Sequence, residues 1–537
     1  MFDVLIVGSG GAGLTAALNA KKEGVNVLVI SKTYPTHSQT CQAQGGINAV
    51  LKENSQDNIQ NYKDDTYKAS HKLGNPLHID FFCKNSKDTI EWLDKIGVPF
   101  SRDENNNISQ RKFGGTKAQR TCYSSDYTGL KILHTLYDQC IKEEIEFLHE
   151  HLLLNLIVEE NTIKGVVVVD IMNSEVKEIQ AKTVILATGG HAGIYHQFTT
   201  NSYASTGDGI ACALRAGAKL SNMEFVQFHP TALENKNILI SESARGEGGY
   251  LLDQNGKRFI EELKPRDEVA RAIYEKHHKG EKVYLDLRHL GLEKINEVMP
   301  QERRLVKDFM KLNMESDLIP INPSAHYTMG GILTDENTQS SIKNLYACGE
   351  CSQSGIHGAN RLGGNSLLEI VTYGKVAGLS AAKAAKELLE YKEPSKEQYN
   401  KDKESITNII ERENQGDFYK IKKELGKLFF NNVGLFREEK KLTKALDYII
   451  KKENEIKTLG INDKSTIYNK NLIEFLEFQN IIQLGNVIIK SALKRKESRG
   501  AHFRTDYNEQ KEEFDKITVV KLENELINIS FEEILWN

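Results

Sequence analysis

The chain has no cysteine clusters, no excess of charge of either sign and no long apolar run, and each absence removes a class of protein. Its seven cysteines (Cys41, Cys83, Cys122, Cys140, Cys212, Cys348 and Cys351) are odd in number and scattered. That is not the spacing of a disulfide framework, and it suits a reducing compartment. Cys348 and Cys351 form a C-x-x-C, but no second pair stands at zinc or iron–sulfur spacing, so no metal is expected. Ser352 rather than His follows, which excludes haem attachment, and the pair reads as two small packing residues in a tight turn. Lys plus Arg number 70 against 74 Asp plus Glu, so there is no basic field for nucleic acid or an anionic membrane. No run of about 18 or more apolar residues occurs, which predicts no direct membrane span. Met1 leads almost directly into Val4–Val7, without the charged start and cleavage site of a leader, so a cytoplasmic chain is expected. Small-molecule chemistry is the class that remains.

At 537 residues the chain is long enough for two or three domains with a large core. The first 30 residues read as strand (Phe2–Val7), glycine turn (Gly8–Gly13), Ala-rich helix to about Lys22 and strand (Val25–Ile30), which is a βαβ unit. A polar, helical stretch runs to about Lys95. A β-rich patch (Leu152–Val158, Gly165–Asp170, Thr183–Ala187) then ends on Ala187-Thr188-Gly189-Gly190, and this alternation predicts an α/β core. From about Glu224 to Asn322 short strands and loops suggest an insertion, and the glycine-rich segment Gly330–Gly364 returns to the core pattern. Beyond about Glu393 the chain is rich in Lys and Glu with helical periodicity, as in Leu425–Lys452 and Asn471–Leu493. There are no internal repeats or low-complexity tracts.

Gly8-Ser9-Gly10-Gly11-Ala12-Gly13 fits G-x-G-x-x-G in the context the motif requires, after a strand and opening a helix. Gly8 allows the tight turn, Gly10 lets the backbone approach a pyrophosphate, and Gly13 permits close helix packing, with the helix N-terminus facing the anion. The second strand ends in Ser31-Lys32, where a carboxylate usually binds the ribose hydroxyls. A serine hydroxyl can make that bond, but the departure argues against NAD as the ligand.

Spaced motifs then extend along nearly the whole chain. They are Ser31-Lys32, Ala43-Gln44-Gly45-Gly46, Phe113-Gly114-Gly115, Ala187-Thr188-Gly189-Gly190, Thr206-Gly207-Asp208-Gly209, Glu224–Pro230, Arg245-Gly246-Glu247-Gly248, Pro265-Arg266-Asp267, His326-Tyr327-Thr328 and His357–Leu367. In this order they resemble the flavoprotein family of succinate dehydrogenases, fumarate reductases and L-aspartate oxidases. The resemblance implies a Rossmann-like FAD-binding domain (1–225 and 326–392), an inserted α+β capping domain (226–325), a C-terminal helical domain (393–510) and a short tail (511–537). It implies FAD contacts from Gly8, Gly10, Gly11, Ala12 and Gly13, from Ser31, Lys32, Ser38 and Thr40, and from Gln44, Gly45 and Gly46. Further contacts are implied from Ala187, Thr188, Gly189, Asp208 and Glu350, and from Asn365, Ser366 and Leu367. A flavin needs backbone donors at its polar edge and a dry face for hydride transfer.

A four-carbon dicarboxylate asks for fixed donors at both ends. By the same resemblance Phe113, His229, Ser241, His326 and Arg361 would bind it, with Arg361 suited to bidentate clamping. Arg266 would give the proton, supplied through Glu242 and Arg245. Arginine, with a pKa above ~12, is an unlikely acid, but as a cation beside a developing carbanion it stabilises charge as well as donating. Ser241 stands where Thr is expected in the family, keeping the hydroxyl and losing a methyl.

Many relatives link flavin covalently through a His in a Ser-His-Thr stretch. Here the stretch is Ser38-Gln39-Thr40, so noncovalent FAD is expected, with His37 nearby as an alternative attachment point. That loss favours fumarate reduction over succinate oxidation. L-aspartate oxidase, also noncovalent, is the rival reading. Its ammonium-bearing substrate asks for a carboxylate partner, however, and Phe113 precedes Gly114-Gly115 where that branch tends to carry Glu. Gly115–Thr128 and Ser498-Arg499-Gly500-Ala501-His502 also look more like the succinate and fumarate branch. A third reading is a non-catalytic flavin-binding protein, which retention of Arg266 and Arg361 opposes. With no haem motif or cysteine cluster the chain must exchange electrons externally, and the resemblance implies an iron–sulfur subunit and a quinone-linked membrane anchor at the cytoplasmic face of the inner membrane. The short end after Asp506, finishing at Trp536-Asn537, leaves a soluble complex with another donor open.

Overall fold

In the computed structural model, which describes residues 1–534, strand β1 (Phe2–Val7) is buried from Val4 onward at the centre of a seven-stranded sheet. Residues 535–537, and with them the predicted chain end Trp536-Asn537, lie outside the described residues. The Val/Ile/Leu runs of β1 and β2 (Val27–Ile30) suit parallel strands covered on both faces. Beyond β2 lies β3 (Glu146–Leu148), also parallel. A meander of β4 (His151–Glu159), β5 (Thr162–Asp170) and β6 (Val176–Leu186) extends the other side, antiparallel within itself. The 11-residue β6 belongs to both halves: its start pairs with β5, its end runs parallel to β1 with Val7 opposite Leu186, and Leu345–Ala347 lies along its far side.

Helix α1 (Gly11–Lys22) is capped at Gly10 and buried through Ala20. Its alanines let α6 (Asn365–Glu387) press against it, and a Cβ on Gly374 or Gly378 would meet the backbone oxygens of Ala12 at 2.7 Å and Ala16 at 2.3 Å. The predicted polar stretch forms three helices, Ile59–Ala69, Pro76–Lys84 and Ser86–Lys95. Helix α2 (Asp208–Arg215) follows the loop that leaves β6.

The segment after Glu224 is built on a four-stranded antiparallel sheet in the order β7 (Val226–Leu233), β10 (Ile319–Thr328), β9 (Val283–Asp286), β8 (Tyr250–Asp253). The expectation of short strands and loops missed helices α3 (Arg266–His278), α4 (Gly291–Val298) and α5 (Pro300–Met310). Their apolar faces are narrow and interrupted by charge, yet Val269, Ile273, Ile295, Val298 and Val306 pack into one cluster with the sheet. The predicted single helical run Leu425–Lys452 is two helices, α8 (Phe418–Asn432) and α9 (Glu439–Ile456). Between them Gly434 and the buried Arg437 turn the chain. Helix α7 (Glu397–Glu411) precedes this pair and α10 (Lys470–Lys494) follows it. Among the described residues α10 alone is long and apolar enough to cross a membrane, and 78% of its apolar stretch is buried inside the fold, so here it is a core helix.

The predicted short tail is a hairpin. Its first strand, β11 (Ile517–Glu523), pairs with Leu220–Ser221 of the core, and β12 (Leu526–Glu532) pairs with β11. Arg495, fully buried, ties this end to the root of β7: its Nε donates to Glu224 at 2.7 Å, Nη1 to Glu497 at 2.9 Å and Nη2 to Thr518 at 2.9 Å.

Two histidines are sealed inside the fold, His191 in the loop after β6 and His502 against Arg437 and Arg495. Burial pushes His191 down to about 3, and burial with the charges of Arg437 and Arg495 holds His502 well below the ordinary range. The unfolded chain takes up these two protons below about pH 6.5 and the folded chain does not. Their contribution is therefore complete above that pH and falls by about 1.4 kcal/mol per group per pH unit below it. Urea unfolding at pH 7.5 and 5.5 should show this loss, and His191→Leu should reduce it by about 1.4 kcal/mol; an unchanged loss would show that His191 is not kept neutral.

Candidate functional site

One cleft runs from the glycine loop to the β7–β10 sheet. At the loop end Gly8 sits at φ +116° and its N–H donates to Ile30 O at 2.8 Å. A Cβ there would lie 2.1 Å from Ala187 O, and one on Gly13 only 1.9 Å from Gly8 O. Gly13 therefore serves packing beneath the loop, while Gly8, Gly10, Gly11 and Ala12 line the cleft. So do Ser31, Lys32, Ser38, Thr40, Gln44, Gly45, Gly46, Ala187, Thr188, Gly189, Asp208, Glu350, Ser366 and Leu367. Asn365 stands behind this wall, bonded to Asn48, Tyr62 and Thr66. Ser38 Oγ, Gln44 Oε1 and Thr188 Oγ1 are buried without hydrogen-bond partners among the described residues, which fits a polar dinucleotide here. Glu350 accepts from the Thr328 N–H at 2.9 Å and hydroxyl at 3.1 Å; burial outweighs these bonds and pushes its pKa up to about 7.

At the other end Phe113, His229, Ser241, Glu242, Arg266, His326 and Arg361 line the same cleft. Arg266 opens α3 and donates to Glu242 Oε2 through Nε at 2.7 Å and Nη2 at 2.6 Å. Burial alone would raise the Glu242 pKa, but the Arg266 and Arg245 charges prevail and hold it below the ordinary value. Gly114 N–H donates to its Oε1 at 2.7 Å. Arg245 is outside the cleft wall, buried, with Nη1 donating to Glu262 O at 2.6 Å. Ser241 caps the turn Glu242–Gly246 by accepting from Ser243 N–H at 3.2 Å, which leaves its hydroxyl proton to donate.

The β7–β10 pair carries both histidines and has irregular register at Gln227/Phe228 and between His229 and Ala232. Such bulges re-aim side chains. The imidazoles lie 5.0 Å apart. Burial and the charge of Arg266 hold both well below the ordinary histidine range, so they are neutral donors. His229 Nδ1 lies 3.2 Å from both the N and the O of Thr231, and Thr200 Oγ1 lies 2.8 Å from His326 Nδ1. Arg361 lies over the Tyr327 ring at 4.1 Å. Burial and the like charge of Arg266 lower its pKa to about 10, so it stays a cation at neutral pH.

Sequence reasoning missed Gln227. Its Oε1 accepts from Arg266 Nη1 and from Arg361 Nη2, both at 3.2 Å, while its Nε2 donates to Asn360 Oδ1 and Arg361 O, both at 2.8 Å. One neutral amide thus brackets two guanidiniums without cancelling their charge. The available signal was its place two residues before His229 in a strand. Glu302, which accepts from Ser241 N–H at 2.9 Å, had no signal at all.

Residues 3–367 match the FAD binding domain family and residues 422–536 match the fumarate reductase flavoprotein C-terminal family. The chain belongs to the flavoprotein-subunit family of succinate dehydrogenases and fumarate reductases. The succinate dehydrogenase flavoprotein subunit of Rickettsia bellii is 38% identical over 94% of this chain and 90% of its own length. The fumarate reductase flavoprotein subunit of Proteus vulgaris is 36% identical over 94% and 89%. A solved E. coli quinol fumarate reductase chain is 34% identical and superposes with a TM-score of 0.95 over 99% of this chain and 96% of that one. These likenesses do not favour the aspartate oxidase reading.

Gln227→Glu places a carboxylate against both guanidiniums and should raise the KM for a C4 dicarboxylate about tenfold or more. An unchanged KM would mean that the amide's neutrality is irrelevant to binding.

Proposed function

We propose that this flavoprotein subunit interconverts fumarate and succinate, with fumarate reduction the favoured direction, and that it holds FAD noncovalently. The observation that carries the reading is the pair of buried guanidiniums, Arg266 and Arg361, sharing Gln227 and facing the cleft, with one carboxylate, Glu242, bonded to Arg266. Two cations against one anion leave positive charge for a dianionic substrate.

FAD, when bound by the glycine loop, Ser38–Gly46 and the Ser366–Leu367 turn, supplies hydride transfer. The remaining work falls to the chain. Arg361 clamps one carboxylate, and His229, His326 and the Ser241 hydroxyl donate to the substrate. Phe113, 2% exposed, keeps that end dry. Arg266 presents a guanidinium N–H to the carbon that accepts a proton, stabilises negative charge growing there, and is reprotonated through Glu242 Oε2, with Arg245 behind. The neutral, aromatic Phe113 does not match the ammonium of aspartate.

Gln39 supports noncovalent attachment. Its Oε1 accepts from Ser202 N–H at 3.0 Å and its Nε2 donates to Gln42 Oε1 at 3.2 Å, so the amide braces two cleft loops where many relatives carry the linking His. Electrons would reach the flavin from an iron–sulfur subunit, possession of which is consistent with the "subunit" names of the relatives and with this chain's lack of cysteine clusters. Through it the chain would sit peripherally at a quinone-linked membrane anchor.

Two experiments test this reading. The purified chain should reoxidise reduced viologen anaerobically on adding fumarate and release no peroxide from L-aspartate; Arg266→Lys should cut the rate by roughly 10²–10³-fold with FAD content unchanged. Peroxide from aspartate would make the chain an aspartate oxidase. Acid precipitation should release all of the flavin, whereas fluorescence remaining with the polypeptide would identify a covalent bond, with His37 the residue to replace next.

A further inference from the structure

The basic residue at the end of β2 poses a problem for the adenosine end of the cleft. In dinucleotide folds that position normally holds a carboxylate for the ribose hydroxyls, and a basic side chain nearby selects a 2′-phosphate. Here it is Lys32, and the structure shows what restrains it. Lys32 Nζ donates to Asp208 Oδ2 at 2.6 Å, Glu477 Oε1 at 2.7 Å, Ala204 O at 2.7 Å and Thr206 Oγ1 at 3.3 Å. Asp208 Oδ1 in turn accepts from the Thr206 hydroxyl at 2.8 Å and Asn480 Nδ2 at 2.9 Å. Lys32 and Asp208 line the cleft; Glu477 and Asn480, each 5% exposed, stand behind them one turn apart on α10. Burial works against the Lys32 ammonium, but Asp208 and Glu477 outweigh it and keep it charged.

With Asp208 alone, the lysine would cancel the carboxylate in front of it. With Glu477 added, one cation faces two carboxylates, and the group carries the single negative charge that one acidic residue ordinarily supplies. We propose that Glu477, assisted by Asn480, is a cofactor-positioning residue: from the helical region it satisfies Lys32, so that Asp208 keeps a carboxylate lone pair and net charge for the ribose hydroxyls in the adenosine half of FAD. The proposal rests on the reading of this cleft as the FAD site. It makes α10, far along the chain from the glycine loop, part of cofactor selection.

The test uses the full chain stripped of FAD and retitrated with FAD, ADP and FMN, following flavin fluorescence or, for ADP, competition. Glu477→Leu should weaken FAD and ADP binding about tenfold while leaving FMN binding unchanged, and should lower the thermal midpoint of the apoprotein because it strands the Lys32 ammonium. Removing the stranded cation as well, in Lys32→Met/Glu477→Leu, should restore FAD binding to within about threefold of wild type. Glu477→Gln, which keeps the shape and an acceptor, covers the case in which the leucine variant does not fold; it should show a smaller loss confined to FAD and ADP. Equal losses for FMN and ADP, or unchanged FAD binding, would overturn the proposal. Failure of the wild-type chain to bind FAD would instead overturn the assignment of the cleft.

Discussion

Two like charges held together out of water require the rest of the molecule to be arranged around them. Arg266 comes from the first turn of α3 and Arg361 from the loop before α6, segments nearly a hundred residues apart that meet only when the inserted sheet lies over the core. Burial and mutual repulsion both disfavour such a pair, and the repulsion is visible in the depressed pKa of Arg361. The protein does not neutralise it fully. It provides one carboxylate, Glu242, on the Arg266 side, one shared neutral acceptor, Gln227, and an aromatic face, Tyr327, under Arg361. A site finished in this way is complementary to a small dianion.

Keeping that arrangement rigid explains much of the remaining structure. The irregular register between β7 and β10 orients Gln227, His229 and His326, and the root of β7 is anchored through Glu224 to Arg495 and the C-terminal hairpin. Asp267, next to Arg266, accepts from Asn360 Nδ2 at 3.0 Å, which joins α3 to the loop carrying Arg361. The two neutral histidines extend the donor set without adding repulsion. At the far end of the cleft the same logic runs with the sign reversed: there a half-buried cation, Lys32, is surrounded by acceptors so that the surface meeting the ligand stays anionic.

The local sequence determined the beginning and the materials of this protein. The glycine loop and the alternation of strands and helices follow from steric rules acting over a few residues: Gly8 sits at φ +116°, and a Cβ at Gly13 collides with the oxygen of Gly8 in the same loop. The candidate residues Arg266, His229, His326 and Arg361 came instead from the family resemblance of the motifs that carry them, not from local rules. Helices α3, α4 and α5 were not legible, because their burial depends on a sheet whose strands are dispersed through the segment, and charged residues blur their periodicity. The break between α8 and α9 was hidden for the same reason: a buried Arg437 bonded to backbone oxygens, to Glu224 O and to His502 substitutes for local signals. Only the tertiary structure decided which side chains face one another. Gln227 between two guanidiniums, Glu302 on Ser241, and Glu477 on Lys32 are contacts between residues whose positions in the chain carry no trace of the pairing, since a hydrogen bond or ion pair depends on distance in space.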